Sequence, residues 1–391
     1  MSRRIKVVHI ITRLDQGGSA EVVMDLAGRM DQVRFDVHLI TGRTLEPVSN
    51  LDEYQARTGV PVTVSTYLRR NIMPLYDMLA CLHLIHCMRR IKPDIVHTHT
   101  SKAGILGRIA AAVTGVPIII HAPHGHVFYG YFGRFISNAF VWIEKQIARL
   151  TDRIITLTKL GMQDHIRYGV GPPEKFISIP CGIDLSVFTG REKAGEKLRQ
   201  DLALDIDTPM IIWVGRLVPI KGCDIFLKAC ALVTERRPDA RIFIMGDGYL
   251  GDALKKFATE QGLDKSLRFM GHHSDIAAWM WAADLFVLSS INEGLGRVLV
   301  EAMSTHTPVV ATEVGGVGEI IQDGINGSLV PPSDPEKLAD AMLNLLEDPA
   351  TAQRMGDQGC EYAPYFDTRN MVNRTVALYD DLLQEKNLCA A

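Results

Sequence analysis

Short apolar runs alternate with amphipathic stretches along this chain, and the alternation is played through twice. In the first half, apolar runs at 5–11, 35–40, 95–98, 116–121, 154–157 and 176–179 read as strands. Helical spacing at 21–30, 75–90 and 103–113 falls between them. In the second half, runs at 210–214, 241–245, 266–270, 283–289 and 308–311 repeat the pattern, with a helix near 224–235. Strands buried on both faces and joined by helices can pair only in parallel, so each half predicts a doubly wound α/β sheet. A chain of 391 residues is also longer than one core usually serves. The turn-rich segment Pro180-Cys181-Gly182-Ile183-Asp184 marks the break. The expected division is 1–183, 184–365 and a C-terminal helical segment, 366–391, whose position the sequence alone leaves open.

Composition removes several classes. Apolar residues make up 47% and charged residues 22%, ordinary for a globular chain. Seven cysteines show no zinc-type spacing. With no signal-peptide pattern, they point to a reduced, cytoplasmic setting. The longest apolar stretches, such as 116–122, are too short to span a bilayer. The net charge of −3 conceals an asymmetry: residues 1–183 carry 22 Lys and Arg against 14 Asp and Glu, and the remainder 20 against 31. Different partners for the two halves follow, unless the charges are scattered over solvated faces.

The most informative chemistry lies at residues 293–301, Glu-Gly-Leu-Gly-Arg-Val-Leu-Val-Glu. An apolar strand precedes it and helical spacing follows Gly296, which puts Glu293 at a strand-to-helix turn and Glu301 about two turns into the helix. Gly294 and Gly296 let backbone N–H groups approach a ligand. Carboxylates beside such a loop suit a polyhydroxylated ligand, whose hydroxyls they accept. Gly215-Arg216-Leu217-Val218-Pro219-Ile220-Lys221-Gly222 follows another strand end, where open α/β sheets bind ligands. Arg216 and Lys221 there suit a diphosphate. Gly315-Gly316-Val317-Gly318, with Glu313, Glu319 and Asp323 around it, forms a further turn on the same side. It offers either ligand-binding N–H groups or a helix start with favourably placed acids.

Other motifs weigh less. Gly17-Gly18 after the first strand is a phosphate-type turn without the complete G-x-G-x-x-G, and no Walker sequence is present. His97, His99, His121, His124 and His126 cluster after two strands. Irregular spacing and missing carboxylates favour one substrate-facing imidazole, His124, over a metal centre. Asp205-Ile206-Asp207 reads as a solvated loop.

Together these residues resemble retaining glycosyltransferase family 4, of the group 1 glycosyl transferases. The resemblance runs nearly end to end. It rests on Glu293 and Glu301, on the Gly215–Gly222 segment, and on Cys181-Gly182-Ile183-Asp184. It implies the GT-B fold, with two facing Rossmann-like doubly wound domains and a C-terminal helix crossing back to the first. Arg216 and Lys221 would hold the donor's diphosphate as leaving group. Glu293 would bind the transferred sugar with the backbone of Gly294, Leu295 and Gly296, and Glu301 would bind the ribose. His124 would approach the sugar, and Gly17 and Gly18 the phosphates and acceptor. Gly215 would line the donor site, and Gly271 and His272 would lie near the base. Two departures stand out: Cys181 where the family has Asn, and Gly318 before Glu319 where it has Pro.

The implied chemistry is metal-independent and needs no cofactor. A UDP-sugar is the favoured donor, with a GDP-sugar as the alternative, and a glycan or polyprenyl-linked acceptor serves cell-surface polysaccharide or glycolipid synthesis. Arg69-Arg70, Arg89-Arg90, Arg134 and Arg149, with Phe128, Tyr129, Tyr131, Phe132 and Phe135, fit peripheral docking on the inner, anionic face of a membrane, against the plainer reading of aromatics packed inward. No nucleic-acid partner is expected. The competing readings are a nucleotide-sugar epimerase on the same fold, a non-catalytic sugar-nucleotide binding protein, and an NAD-dependent oxidoreductase, which the incomplete glycine fingerprint disfavours.

Overall fold

Thirteen short strands, none longer than eight residues, carry the two sheets of the computed structural model, which describes residues 3–15, 18–44, 48–124 and 134–388, the side chains of 134 and 135 excepted. The chain divides into two units, Met1–Gly182 with Thr368–Ala391, and Ile183–Asp367. The cuts fall one and two residues from those expected.

In the first unit the described strands are β1 (Ile5–Ile11), β2 (Phe35–Gly42), β3 (Val62–Ser65), β4 (Ile95–His99), β5 (Ile118–Ala122), β6 (Arg153–Thr156) and β7 (Phe176–Ser178). They lie in the order β3-β2-β1-β4-β5-β6-β7 and all pairs are parallel. The chain builds outward from β1 to β3, then returns to lay β4 on the other side of β1. This reversal opens a crevice at the carboxyl ends of β1 and β4. The C-terminal helix Thr368–Glu385 belongs to this unit. Tyr379 on it is fully buried against Phe35, and Arg34 and Arg153 pair with Asp380 and Glu385.

The second unit holds β8 (Met210–Val214), β9 (Arg241–Met245), β10 (Leu267–Gly271), β11 (Leu285–Leu288), β12 (Val309–Thr312) and β13 (Ser328–Val330), ordered β10-β9-β8-β11-β12-β13 and parallel. Its switch point lies between β8 and β11. The core beneath is mostly aliphatic but includes two aromatic rings, with Trp213, Phe226, Ile244 and Val287 fully buried.

Two strands escaped the sequence reading. β3 and β13 form sheet edges and have four and three residues. Polar residues, Thr63 and Ser65 in β3 and Ser328 in β13, interrupt runs that are already short, so no apolar run marks either strand.

One charged group sits inside the first unit. Arg108 is fully buried on the helix Ser101–Val113, holding Glu144 through two guanidinium nitrogens at 2.7 and 2.9 Å and the Gly104 carbonyl at 2.8 Å. Removing one partner of such a pair strands the other charge, so Arg108→Ala should destabilise this unit by about 3–5 kcal/mol. Urea unfolding of the variant measures this; a loss below about 1 kcal/mol would show that Glu144 finds water or another partner.

Candidate functional site

The carboxyl edge of the second sheet gathers the charged residues singled out above. β8 ends at Val214, and Gly215 and Arg216 follow it directly. The next residues wind into a 3₁₀ turn, Pro219–Lys221, and the helix Cys223–Arg236 starts after Gly222. Gly222 sits at φ 60°, and a Cβ there would lie 2.1 Å from the Ser289 carbonyl oxygen, so only glycine fits. Ser289 ties the two loops together: its Oγ donates to the Gly222 carbonyl at 2.8 Å and accepts from the Trp213 indole at 3.1 Å. The Ile291 N–H donates to the Ile220 carbonyl at 2.8 Å.

This bracing brings Lys221 and Glu293, 72 residues apart in sequence, into contact. Lys221 Nζ lies 2.5 Å from Glu293 Oε1, and Ser290 Oγ donates to the same oxygen at 2.7 Å. Both side chains are mostly covered, at 22% and 9% exposure. Among the described residues Glu293 Oε2 accepts no bond, and two of the three Lys221 donors remain open. Arg216 is exposed, and its guanidinium has no partner among the described residues. The N–H groups of Gly294, Leu295 and Gly296 also donate to nothing among the described residues. The edge therefore offers two cations, one free carboxylate oxygen and a run of open N–H groups, which suits a diphosphate joined to a polyol.

Glycines hold the Glu293 loop in place. Gly315, at φ 51°, passes so close that a Cβ would lie 1.8 Å from the Glu293 carbonyl oxygen, and the Gly316 N–H donates to that oxygen at 3.3 Å. Gly315→Ala should push the loop outward and weaken diphosphate binding about tenfold, roughly 1.4 kcal/mol; unchanged affinity by titration calorimetry would show that the loop adapts.

Glu301 sits differently from expectation. The helix after Gly296 is only Arg297–Met303, and Glu301 is its fifth residue, just past one turn rather than two. Leu295 is buried beneath the turn, and Gly296 takes φ 86° to start the helix. Gly271, at φ 67°, and the exposed His272 stand at the end of β10, two strands from β8 and so about 10 Å away. Asp205 and Asp207 are exposed in the loop before β8, at the opposite edge of the sheet from Arg216. Ser289 and Ser290 were not singled out from the sequence, although they close the apolar run that leads to Glu293.

In the first unit the histidines stack. His9 on β1 pairs in register with His97 on β4, and His99 lies two residues on, so the three share one sheet face. His9 Nδ1 and His99 Nε2 are 3.0 Å apart, His99 Nδ1 and His124 Nε2 are 2.8 Å apart, and His97 Nδ1 meets the Tyr379 hydroxyl at 2.7 Å. His121 occupies the other face, bonded to Thr98. His124 itself sits at φ 55°. Among the described residues, nitrogens of His9, His97 and His99 lie within 4.8 Å of one another, and Nε2 of His9 and of His97 are buried without a partner. Zinc, copper and nickel take imidazole ligands. These rings stack at 4.2–5.3 Å rather than converging, however, and an ion would have to break the His9–His99 bond to use His99. The arrangement serves better as a hydrogen-bonded relay that fixes the ring of His124. His9 and Tyr379 were missing from the sequence reading, since one polar residue in an apolar strand gives no sign of what it faces. Gly18 opens the helix Gly18–Arg29 after β1, while Gly17, His126 and the aromatics 128–132 lie outside the described residues, as does the side chain of Phe135.

Burial keeps these imidazoles neutral. It brings His9 down to about 3 and His124 to about 4, and holds His97, His99 and His121 well below the ordinary 6.5, with repulsion from neighbouring imidazoles and from Arg108 adding to it. The unfolded chain then binds more protons than the folded one below pH 6.5. The stability this cluster contributes is present above that pH and is lost as pH falls toward 4. The urea midpoint of the first unit should drop over that range, and His9→Leu should flatten the slope. An unaltered slope would mean that His9 does not titrate with unfolding.

With two doubly wound α/β units and a cation–carboxylate site at a switch point, the chain has the build of a GT-B sugar transferase. Comparison with known proteins agrees. The family described as Glycosyltransferase Family 4 matches residues 16–187, and Glycosyl transferases group 1 matches residues 195–361. The UDP-Gal:alpha-D-GlcNAc-diphosphoundecaprenol alpha-1,3-galactosyltransferase of Escherichia coli is 31% identical over 348 residues, 88% of this chain and 89% of that protein. A D-inositol 3-phosphate glycosyltransferase of Corynebacterium glutamicum (strain R) is 29% identical over 313 residues, 76% of this chain and 75% of that protein. Among solved structures, Anabaena Alr3699/HepE in complex with UDP superposes with a TM-score of 0.83 at 24% identity, covering 96% of this chain and 100% of that one. The chain belongs to the group 1, family 4 glycosyltransferases.

Proposed function

We propose that this protein is a retaining, metal-independent hexosyltransferase that uses a UDP-sugar, with a glycan or lipid-linked acceptor of cell-surface polysaccharide or glycolipid synthesis. The observation that carries the reading is the Lys221–Glu293 pair beside the open Arg216 at the switch point of the second sheet. In this reading Arg216 and Lys221 hold the diphosphate and stabilise the charge it gains as the bond to the sugar C1 breaks. Two fixed cations supply what a metal ion would otherwise supply. Glu293 Oε2 accepts a hydroxyl of the transferred sugar, the N–H groups of Gly294 to Gly296 take its other oxygens, and Glu301 accepts from the ribose. Gly271 and His272, about 10 Å along the edge, take the base end. In this reading the first unit binds the acceptor, and His124, kept neutral by burial, offers it a hydrogen bond without a charge.

Glu293 is already held by Lys221 and Ser290 rather than free to attack C1, which supports a front-face course. The acceptor oxygen bonds C1 on the side the diphosphate leaves, and its proton passes to the departing phosphate oxygen. UDP as the nucleotide is supported by the galactosyltransferase relative, whose donor is UDP-Gal, and by the UDP complex of the Anabaena protein. In this reading the protein works on the cytoplasmic side, at the inner face of the membrane. Among the described residues no helix is long and apolar enough to cross a bilayer.

Carbon-13 NMR of the product from a C1-labelled UDP-sugar tests this. Retained anomeric configuration in EDTA supports the reading. An inverted product, or turnover only with added divalent metal, contradicts it, and conversion of the donor without acceptor would indicate an epimerase.

A further inference from the structure

A basic cavity of about 530 Å³ opens at the carboxyl edge of the first sheet. Arg13 follows β1, Arg43 follows β2, and Thr66, Arg69, Arg70 and Met73 follow β3. The three strands are neighbours, so their loops converge. Four guanidinium groups therefore line one cavity, and no acidic side chain lines it among the described residues. Arg13 pairs with Asp15 at 2.5 Å, and Arg69 lies over the Tyr76 ring at 3.8 Å. Arg43 and Arg70 have no hydrogen-bond or ion-pair partner among the described residues. Lys102, on the helix after β4, braces the loop by bonding the Asn71 carbonyl and pairing with Asp77. Like charges held together on braced loops are unfavourable unless an anion joins them, and arginine forks match phosphate oxygens in pairs.

A second observation stands beside it. Ile72, between the lining residues Asn71 and Met73, is 74% exposed, and Leu75, Met78 and Leu82 on the helix Pro74–Ile91 are 63%, 54% and 55% exposed. The last three recur at helical spacing and form one apolar stripe, at the end of which Arg89 and Arg90 are exposed. A cationic cup continuous with an apolar stripe matches a ligand with an anionic head and a hydrocarbon tail. The other end of the same edge carries His99 and His124, after β4 and β5. Three strand spacings, about 14 Å, separate β2 from β5. A sugar with its diphosphate spans a distance of that order.

We propose that this cavity seats the diphosphate of the sugar acceptor, and that the acceptor is a lipid diphosphate whose chain lies along Ile72, Leu75, Met78 and Leu82. The proposal rests on the transferase reading above and names its acceptor class. The two named relatives both act on phosphorylated acceptors, one lipid-linked and one an inositol phosphate. The shared chemistry is the phosphate, and the apolar stripe decides for the lipid.

The test is calorimetric binding of farnesyl diphosphate, inorganic pyrophosphate and myo-inositol 1-phosphate to the full chain, with UDP saturating the donor side. Farnesyl diphosphate should bind at least tenfold more tightly than pyrophosphate. The double variant Arg43→Ala/Arg70→Ala should weaken both by tenfold or more while UDP affinity, measured separately, stays unchanged. Leu75→Ser/Met78→Ser/Leu82→Ser should bring farnesyl diphosphate down to the level of pyrophosphate. Either diphosphate binding the arginine variant as well as the wild type, or neither binding a wild type that takes up UDP, would overturn the proposal. Equal affinity for all three probes would point to a water-soluble phosphorylated acceptor and overturn its lipid part. Loss of UDP binding in wild type, with arginine-dependent farnesyl diphosphate binding intact, would sink the donor reading and support the cavity.

Discussion

Lys221→Ala should lower turnover by two to three orders of magnitude, the loss seen when one preorganised donor to a developing anion is removed. Two effects combine. The leaving diphosphate loses a cation, and Glu293, at 9% exposure, loses the partner 2.5 Å away that compensates its charge. The carboxylate then turns toward Ser290 alone or draws in water, and its free oxygen leaves the position that accepts a sugar hydroxyl. A cycle with Glu293→Gln separates the effects. If the pair acts as a unit, the double variant is much less impaired than the product of the two singles requires. Independent, multiplicative losses in kcat/KM would show that Lys221 and Glu293 act on separate parts of the donor.

Arg216→Ala should also cost at least a hundredfold in kcat, with a smaller effect on folding stability. The side chain is exposed and has no partner among the described residues, so its removal leaves no unpaired group behind. Arg216→Lys should recover part of the loss, since a point charge replaces the charge but not the two-pronged geometry. Equal activity in wild type and Arg216→Ala would remove this residue from the leaving-group site and leave the diphosphate to Lys221 and the loop N–H groups.

How far the sequence could be read differed between the parts. The alternation of buried strands and amphipathic helices is a local pattern, so β1, β8 and β9 stand at the residues the apolar runs mark. β3 and β13 were invisible because polar residues, Thr63 and Ser65 in one and Ser328 in the other, break their short runs, whereas the equally short β7 falls within Phe176-Ile177-Ser178-Ile179. Arg216, Lys221 and Glu293 were legible one by one from their positions after strand ends. Their meeting was not, because it depends on β8 and β11 being neighbours across the switch point. The depth of Glu301 was overread: eight positions separate it from Glu293, but the turn through Gly296 uses up half of them and the helix starts only at Arg297. The histidine relay lay furthest from view. His9, His97 and Tyr379 come from β1, β4 and the C-terminal helix, and no spacing rule links residues 282 positions apart. The arginine cavity was similar: Arg69-Arg70 stood out as a basic pair, but Arg13 and Arg43 join them only through the order of the strands.

The central claim is that the second unit binds a nucleotide sugar through Arg216, Lys221 and Glu293 without a metal. A thermal-shift panel of UDP-, GDP- and ADP-sugars and NAD in EDTA tests it most directly. The account predicts a raised unfolding midpoint with a UDP-sugar, lost in Arg216→Ala and in Lys221→Ala. A shift with NAD alone, a shift with none of them, or a UDP-sugar shift that both variants keep would contradict it.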